Sequence, residues 1–189
     1  MANNILDTSV VSSEFSWPTE FPKPVVGVDR RNTFTVGSSM EMIDGALEAI
    51  RQIRLKGYKF VMLNDERGRQ IEDVEAQNEQ LMKIFGDAGI MSIDTMFYSI
   101  GTEKQDIYVK PSTGMFKRCE REFPHIKFNK GWYVGHDIHD AKAAFKVKAK
   151  PVLINPTEET QKKLNSFANK KIKKVTKIYD SLAEFEATM

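Results

Sequence analysis

Six short apolar runs, each followed by a longer stretch of helical periodicity, constrain this chain more than any other feature of its sequence. The runs are Val25-Val26-Gly27-Val28, Phe60-Val61-Met62-Leu63, Thr95-Met96-Phe97-Tyr98, Trp132-Tyr133-Val134, Val152-Leu153-Ile154 and Val175-Thr176-Lys177-Ile178. Between the first two, residues 40–56 place Met42, Ile43, Ala46, Leu47, Ile50 and Ile53 on one helical face and stop at Gly57. Residues 71–88 do the same through Val74, Leu81, Met82, Ile84 and Phe85, closing at Gly89. Further helices are predicted over 113–123, 137–147, near 158–168, and from Ser181. Strands too short and apolar to face water, separated by amphipathic helices, form β-α-β crossovers and a mostly parallel sheet covered on both faces. The expected class is α/β, a three-layer α/β/α sandwich. In such sheets ligands bind beyond the carboxyl ends of the strands. The stretches to search are therefore Asp29 to Thr33, Asn64 to Glu66, Ser99 to Lys110, and Gly135 to Asp140.

Composition narrows the biology. With 189 residues, the chain has room for one domain with a proper core. Residues 1–24 are polar, lack a period and end in Phe21-Pro22-Lys23-Pro24, so they read as an extension whose Phe15 and Trp17 pack on a body spanning 25–189. No apolar stretch approaches membrane-spanning length, and the first residues lack the basic and apolar regions of a secretory signal. Cys119 stands alone, which excludes an internal disulfide, and its helical spacing from Met115 marks it as a buried, inert thiol. A net charge of +2 predicts neither a membrane nor a nucleic-acid partner. The expectation is a soluble, cytoplasmic domain. Lys162, Lys163, Lys170, Lys171, Lys173, Lys174 and Lys177 make the last quarter basic, which fits a solvated face or a charged edge strand.

The strand ends carry a further pattern. Val28-Asp29-Arg30-Arg31-Asn32-Thr33 resembles the first motif of the haloacid dehalogenase-like (HAD) phosphatases, Asp-x-Asp-Gly-Thr after a strand. The stretch from Met42 to Val61 matches the segment leading to that family's second motif, and Val109-Lys110-Pro111-Ser112-Thr113-Gly114 resembles its lysine motif. Tyr133-Val134-Gly135-His136-Asp137-Ile138-His139-Asp140 resembles the acidic fourth motif, and Tyr179-Asp180-Ser181-Leu182 is typical of the C-termini. The resemblance runs in order over residues 25–189 and is nearest the small histidinol-phosphate and heptose-bisphosphate phosphatase branch. It implies a HAD-like fold, with no room for a large cap domain after Thr33 or between Asn64 and Lys110.

The chemistry of that family sets the expected roles. An aspartate attacks phosphorus, a second aspartate two residues on acts as general acid and base, and a hydroxyl and a lysine hold the phosphoryl oxygens. Carboxylates complete a Mg²⁺ site. The resemblance puts Asp29 at the nucleophile and Arg31 at the general acid, where a guanidinium of pKa above ~12 cannot exchange protons near neutrality. Thr33, Asn64 and Lys110 fall at phosphate-binding positions, Leu63 replaces the second-motif hydroxyl, and Asn32 replaces a glycine. Asp29, Asp140 and His136, the last in place of an aspartate, fall at metal positions. Arg31 is expected to pair with Asp29 or Asp140 and fill the metal's role.

Simpler readings stand beside these. Asp29 also suits a turn at a strand end, and Ser112 or Thr113 a helix N-cap. His136 and His139, three apart at a helix start, could both face a transition metal, with Asp137 or Asp140 adding oxygen. His125 follows Pro124 in a loop and carries no argument. The favoured expectation is a HAD-like fold with impaired or lost phosphatase activity, serving as a binding or scaffold protein for a phosphate-containing ligand or macromolecule, and open to homo-oligomerisation. The alternative is an active Mg²⁺-dependent phosphatase on a small phosphate ester, with His136 or Asp65 as a reassigned acid. If the site is active, Mg²⁺ is its cofactor; otherwise none is expected.

Overall fold

The computed structural model describes residues 24–90, 93–102 and 106–189. The expected packing of Phe15 and Trp17 lies outside these residues. Strands β1 (Val25–Val28), β2 (Lys59–Asp65), β3 (Thr95–Ser99), β4 (Trp132–Gly135), β5 (Lys150–Ile154) and β6 (Lys177–Tyr179) form one sheet in the order β3-β2-β1-β4-β5-β6. Every pairing is parallel. Helices α1 (Ala46–Leu55), α2 (Ile71–Asp87), α3 (Gly114–Glu122), α4 (Ile138–Lys146), α5 (Glu158–Asn165), α6 (Lys170–Val175) and α7 (Leu182–Ala187) cover it.

The period-2 geometry of a strand explains how one sheet carries two cores. Val26 and Val28 of β1, and Phe60 and Met62 of β2, join a cluster built with Ile50 and Ile53 of α1, Leu81 and Phe85 of α2, and Leu182 and Phe185 of α7. Their neighbours Val25, Val61 and Leu63 point the other way, onto Met115, Phe116 and Cys119 of α3 and Ala143 and Ala144 of α4. Both faces are dry, which is why the strands read as unbroken apolar runs. No helix among the described residues is long and apolar enough to cross a membrane.

Two elements depart from expectation. The helix predicted from residue 40 starts only at Ala46, because Gly45 sits in the left-handed region (φ 74) and Met42 is in an antiparallel bridge with Thr35. Met42 and Ile43 still pack on the core, so their apolar character was correctly placed but not their backbone. At the other end, the helix predicted near 158–168 stops at Asn165, where Ser166 turns extended, and the lysine-rich segment forms α6. Val175 therefore closes a helix rather than opening β6. The sheet edge at β6 is short and carries an exposed Lys177, which discourages edge-to-edge pairing.

Candidate active site

Strand order reverses between β1 and β4: the chain builds β1, β2, β3 outward in one direction, then returns to β4 beside β1 and proceeds the other way. The carboxyl ends of those two strands open a crevice there, as such switch points do. Asp29 follows β1. His136, Asp137 and Asp140 follow β4 and start α4, while Lys110 enters from the connection between β3 and α3. Lys110 Nζ donates to Asp29 Oδ1 at 2.5 Å, to Asp140 Oδ1 at 2.6 Å and to the Tyr133 hydroxyl at 3.1 Å. Tyr133 passes its own proton to the main-chain oxygen of Leu63 at 2.8 Å. Asp140 is also fixed from behind, since its Oδ2 accepts from the backbone N–H of His136 at 3.2 Å and of Asp137 at 3.1 Å. Asp137 caps α4 in return, accepting from His139 N at 2.7 Å.

Asp29, Lys110 and Asp140 are all buried, so their ionisation is set by each other. Burial alone would depress the lysine, but Asp140 and Asp29 outweigh it and hold the ammonium well above its ordinary range. Burial also favours neutral carboxyls. For Asp140 the opposing pull of Lys110, His136 and the Asp137 N–H wins and its pKa falls below the usual value. For Asp29 burial wins over Lys110, helped by repulsion from Asp140, and its pKa rises. Burial likewise pushes Tyr133 well up, leaving it a neutral donor. The triad is one cation between two carboxylates of unequal strength.

The arginines do not take the places expected of them. Arg31 is half-buried, and its Nη2 donates to the main-chain oxygen of Asp65. Among the described residues it makes no ion pair with Asp29 or Asp140, so the cation between the carboxylates is Lys110 and not Arg31. Residue 31 lies past the end of β1, beside the carboxyl end of β2 that Asp65 closes. Asp65 is held in turn by Arg67, whose Nε lies 3.0 Å from both carboxylate oxygens. Asp29, Arg31, Asp65, Arg67, Lys110, His136, Asp137, His139 and Asp140 line a cavity of about 250 Å³.

Thr33 and Asn64 are buried outside that lining. Asn64 Oδ1 accepts the Arg30 N–H at 3.1 Å, tying the ends of β1 and β2 together, while its Nδ2 is buried without a partner among the described residues. Leu63 is in the core, with only its carbonyl turned to the site. Thr113 takes the N-cap position of α3 but makes no side-chain cap bond. Sequence reasoning missed Tyr133, whose strand position predicted burial but not contact with Lys110. It also missed Arg30, which pairs with Glu66 at 2.7 Å with both side chains 1% exposed. No local pattern marks that pair, because its partners are 36 residues apart.

One oxygen each from Asp29 and Asp140 and one nitrogen of His136 lie within 4.8 Å of one another. His136 Nδ1 is buried, has no hydrogen-bond partner among the described residues, and sits 4.0 Å from Asp140 Oδ2. Mg²⁺ takes oxygen ligands in a near-ideal octahedron. Two carboxylates fit that demand, and an imidazole at the third position does not.

Comparisons with known proteins place the fold. No family model matches the chain, and no curated protein matches it in sequence. Solved structures do. The D,D-heptose 1,7-bisphosphate phosphatase from B. bronchiseptica, complexed with magnesium and phosphate, superposes with a TM-score of 0.74 at 16% identity, covering 87% of this chain and 97% of that one. The D,D-heptose 1,7-bisphosphate phosphatase from Burkholderia thailandensis gives 0.60 at 18% identity, covering 88% and 97%. A putative HAD-like phosphatase from Mesorhizobium loti gives 0.63 at 16% identity, covering 71% and 74%. The chain therefore has the fold of HAD-superfamily phosphatases, as its motif order implied.

Proposed function

We propose that this protein keeps the phosphate-handling frame of the HAD phosphatases with its ester-cleaving chemistry strongly reduced or lost, and that it acts as a binding or scaffold protein for a phosphate-bearing ligand. The observation that carries this reading is Arg31. Two residues after Asp29, where a proton must be given to the leaving oxygen and later taken from water, stands a guanidinium engaged with the Asp65 carbonyl. Asp65 lines the cavity too, but Arg67 holds both of its oxygens as an acceptor.

What remains suits binding. Lys110 offers a fixed positive charge in the cavity lining, and Asn64 braces the ends of β1 and β2 behind it through the Arg30 N–H. Asp29 still stands at the strand end with its carboxylate steered by Lys110, so attack on phosphorus is geometrically retained while the proton transfers are not. A divalent ion would be held by Asp29 and Asp140 with His136, and would supply charge neutralisation to a phosphoryl group. The short connection between Thr33 and α1 holds no cap, which supports a macromolecular ligand or a second copy of the chain as the partner.

One observation favours the alternative of a working phosphatase. His136 lines the cavity and its Nδ1 has no hydrogen-bond partner among the described residues, which leaves that side chain uncommitted as a reassigned acid. The two readings separate in one assay: hydrolysis of an aryl phosphate, sugar phosphates and nucleotides with Mg²⁺, Mn²⁺ or Zn²⁺, with Asp29→Asn as control. Loss of the general acid alone costs about 10²–10⁴-fold, so turnover at or below that deficit is expected. Robust turnover abolished by Asp29→Asn overturns the proposal.

A further inference from the structure

We infer that the crevice between β1 and α4 is a site for a nitrogen-preferring first-row transition ion, of the Mn²⁺, Fe²⁺, Co²⁺ or Zn²⁺ class, with His136 as its imidazole ligand and Asp29 and Asp140 as its oxygen ligands. The inference deepens the site described above but holds whether or not that site turns over substrate.

Three observations carry it. The first is charge. With both carboxylates ionised, as a bound cation would hold them, Asp29 and Asp140 set two negative charges against the single positive charge of Lys110. Arg31, the expected surrogate cation, is directed at the Asp65 carbonyl and makes no ion pair with either carboxylate. The second is an orphaned ligand. His136 Nδ1 is buried with no hydrogen-bond partner among the described residues, although the rest of its residue is ordered by the His136 N–H bond to Asp140. A buried polar atom without a partner is unfavourable, and a bound metal ion would give this one a partner.

The third is donor chemistry and geometry. The three ligand atoms lie within 4.8 Å of one another, and His136 Nδ1 lies 4.0 Å from Asp140 Oδ2. Metal–ligand bonds of ~2.0–2.2 Å bring adjacent ligands to within about 3.0–3.5 Å, so closing on an ion needs movements of about an ångström. Lys110 uses Oδ1 of both aspartates and need not leave. Asp140 Oδ2 is pre-oriented by two backbone N–H groups, and no hydrogen bond among the described residues goes to Asp29 Oδ2. A hard, oxygen-seeking ion gains little from an imidazole, while a borderline ion gains much, so the His136 position tilts selection away from Mg²⁺.

The test uses the full-length, metal-stripped protein. Calorimetric titration is expected to give Mn²⁺ and Zn²⁺ affinities at least tenfold above that of Mg²⁺, with His136→Asp narrowing the ratio and Asp29→Asn weakening all three. Pulsed electron paramagnetic resonance of the Mn²⁺ form supplies a readout that a merely structural role would not move. Histidine-nitrogen modulation is expected in the wild type, changed by ¹⁵N-histidine labelling, kept in His125→Ala and His139→Ala, and absent in His136→Asn. The wild-type labelling result stands even where a His136 variant fails to fold. Mg²⁺ binding as tight as Mn²⁺, no metal binding, or nitrogen modulation that survives in a folded His136→Asn variant overturns the inference. Phosphatase turnover enters none of these readouts, so its absence or presence decides only the preceding proposal.

Discussion

Replacing Lys110 by methionine isolates what the buried cation does, because methionine keeps the length and apolar stem and removes only the ammonium. In the native site the ammonium lies 2.5 Å from one aspartate and 2.6 Å from the other, with all three side chains at least nine-tenths buried. At an effective dielectric of about 20, a unit-charge pair at 4 Å is worth about 4 kcal/mol, and these contacts are closer. Desolvation of the three groups takes back much of that gain, so the measurable quantity is the cost of stranding the partners. Removing one member of a buried ion pair costs about 3–5 kcal/mol. Here two carboxylates are stranded together, and the upper part of that range is expected at pH 7.5. For a chain of this size, that is a fall of about 8–20 °C in Tm.

The pH dependence distinguishes electrostatics from lost packing. Without Lys110, burial and mutual repulsion act unopposed on Asp29 and Asp140, so both folded-state pKa values rise above the unfolded ones. A carboxyl whose folded pKa is raised binds more protons folded than unfolded between the two values, so stability of the variant increases as pH falls through that window. Urea unfolding followed by circular dichroism at pH 7.5, 6 and 5 should therefore show the penalty of Lys110→Met shrinking toward acid. A penalty below about 1 kcal/mol, or one equal at all three pH values, would refute the claim that Lys110 is the charge holding this site together.

Other perturbations probe the surrounding frame. Glu66→Leu strands Arg30, which also reaches Gln77 Oε1 and the Ser39 carbonyl, and should cost about 3–5 kcal/mol while raising hydrogen exchange in residues 34–43; unchanged exchange there would mean that the pair does not anchor this loop. Gly27→Ala would put a Cβ 2.7 Å from the Tyr133 ring and 2.8 Å from that of Phe128, an overpacking expected to cost about 1–3 kcal/mol in chemical denaturation. Burial pushes the Cys119 thiol up to about 12, so it should resist alkylation in native protein. Its folded pKa exceeds the unfolded one, so the stability it contributes is intact below about pH 8.5 and falls by up to ~1.4 kcal/mol per pH unit above it; Cys119→Ala should flatten that alkaline limb.

The frame was legible because its signals are local. Strand burial on two faces writes itself as apolar runs, and Gly57 and Gly89, both at positive φ, end their helices where the periodicity stops. Where the reading slipped, two local signals competed. Met42 and Ile43 continue the apolar spacing of α1 backwards, but the left-handed Gly45 breaks the backbone between them. In α6, Ile172 is the sole inward apolar residue among lysines, too little for a hydrophobic period, and tertiary contact beneath α4 and β5 decides the outcome.

The site divides along the same line. Which residues reach the crevice follows from strand ends, and Asp29, Lys110, His136 and Asp140 all line it. Which cation faces which anion does not follow, because a side chain's direction is set by partners far away in sequence. Motif position alone puts Arg31 in the metal's place and Lys110 on phosphate. Arg31 leaves β1 beyond the switch point, beside the end of β2, and finds a carbonyl there. Lys110 comes from the opposite side, over the Tyr133 ring at 5.4 Å, and meets both aspartates head-on. Arginine at residue 31 therefore leaves the position between the carboxylates to Lys110. The proposed loss of an acid at residue 31 and the proposed cation site make separate predictions, and the unpartnered nitrogen of His136 is where the second can be measured without the first.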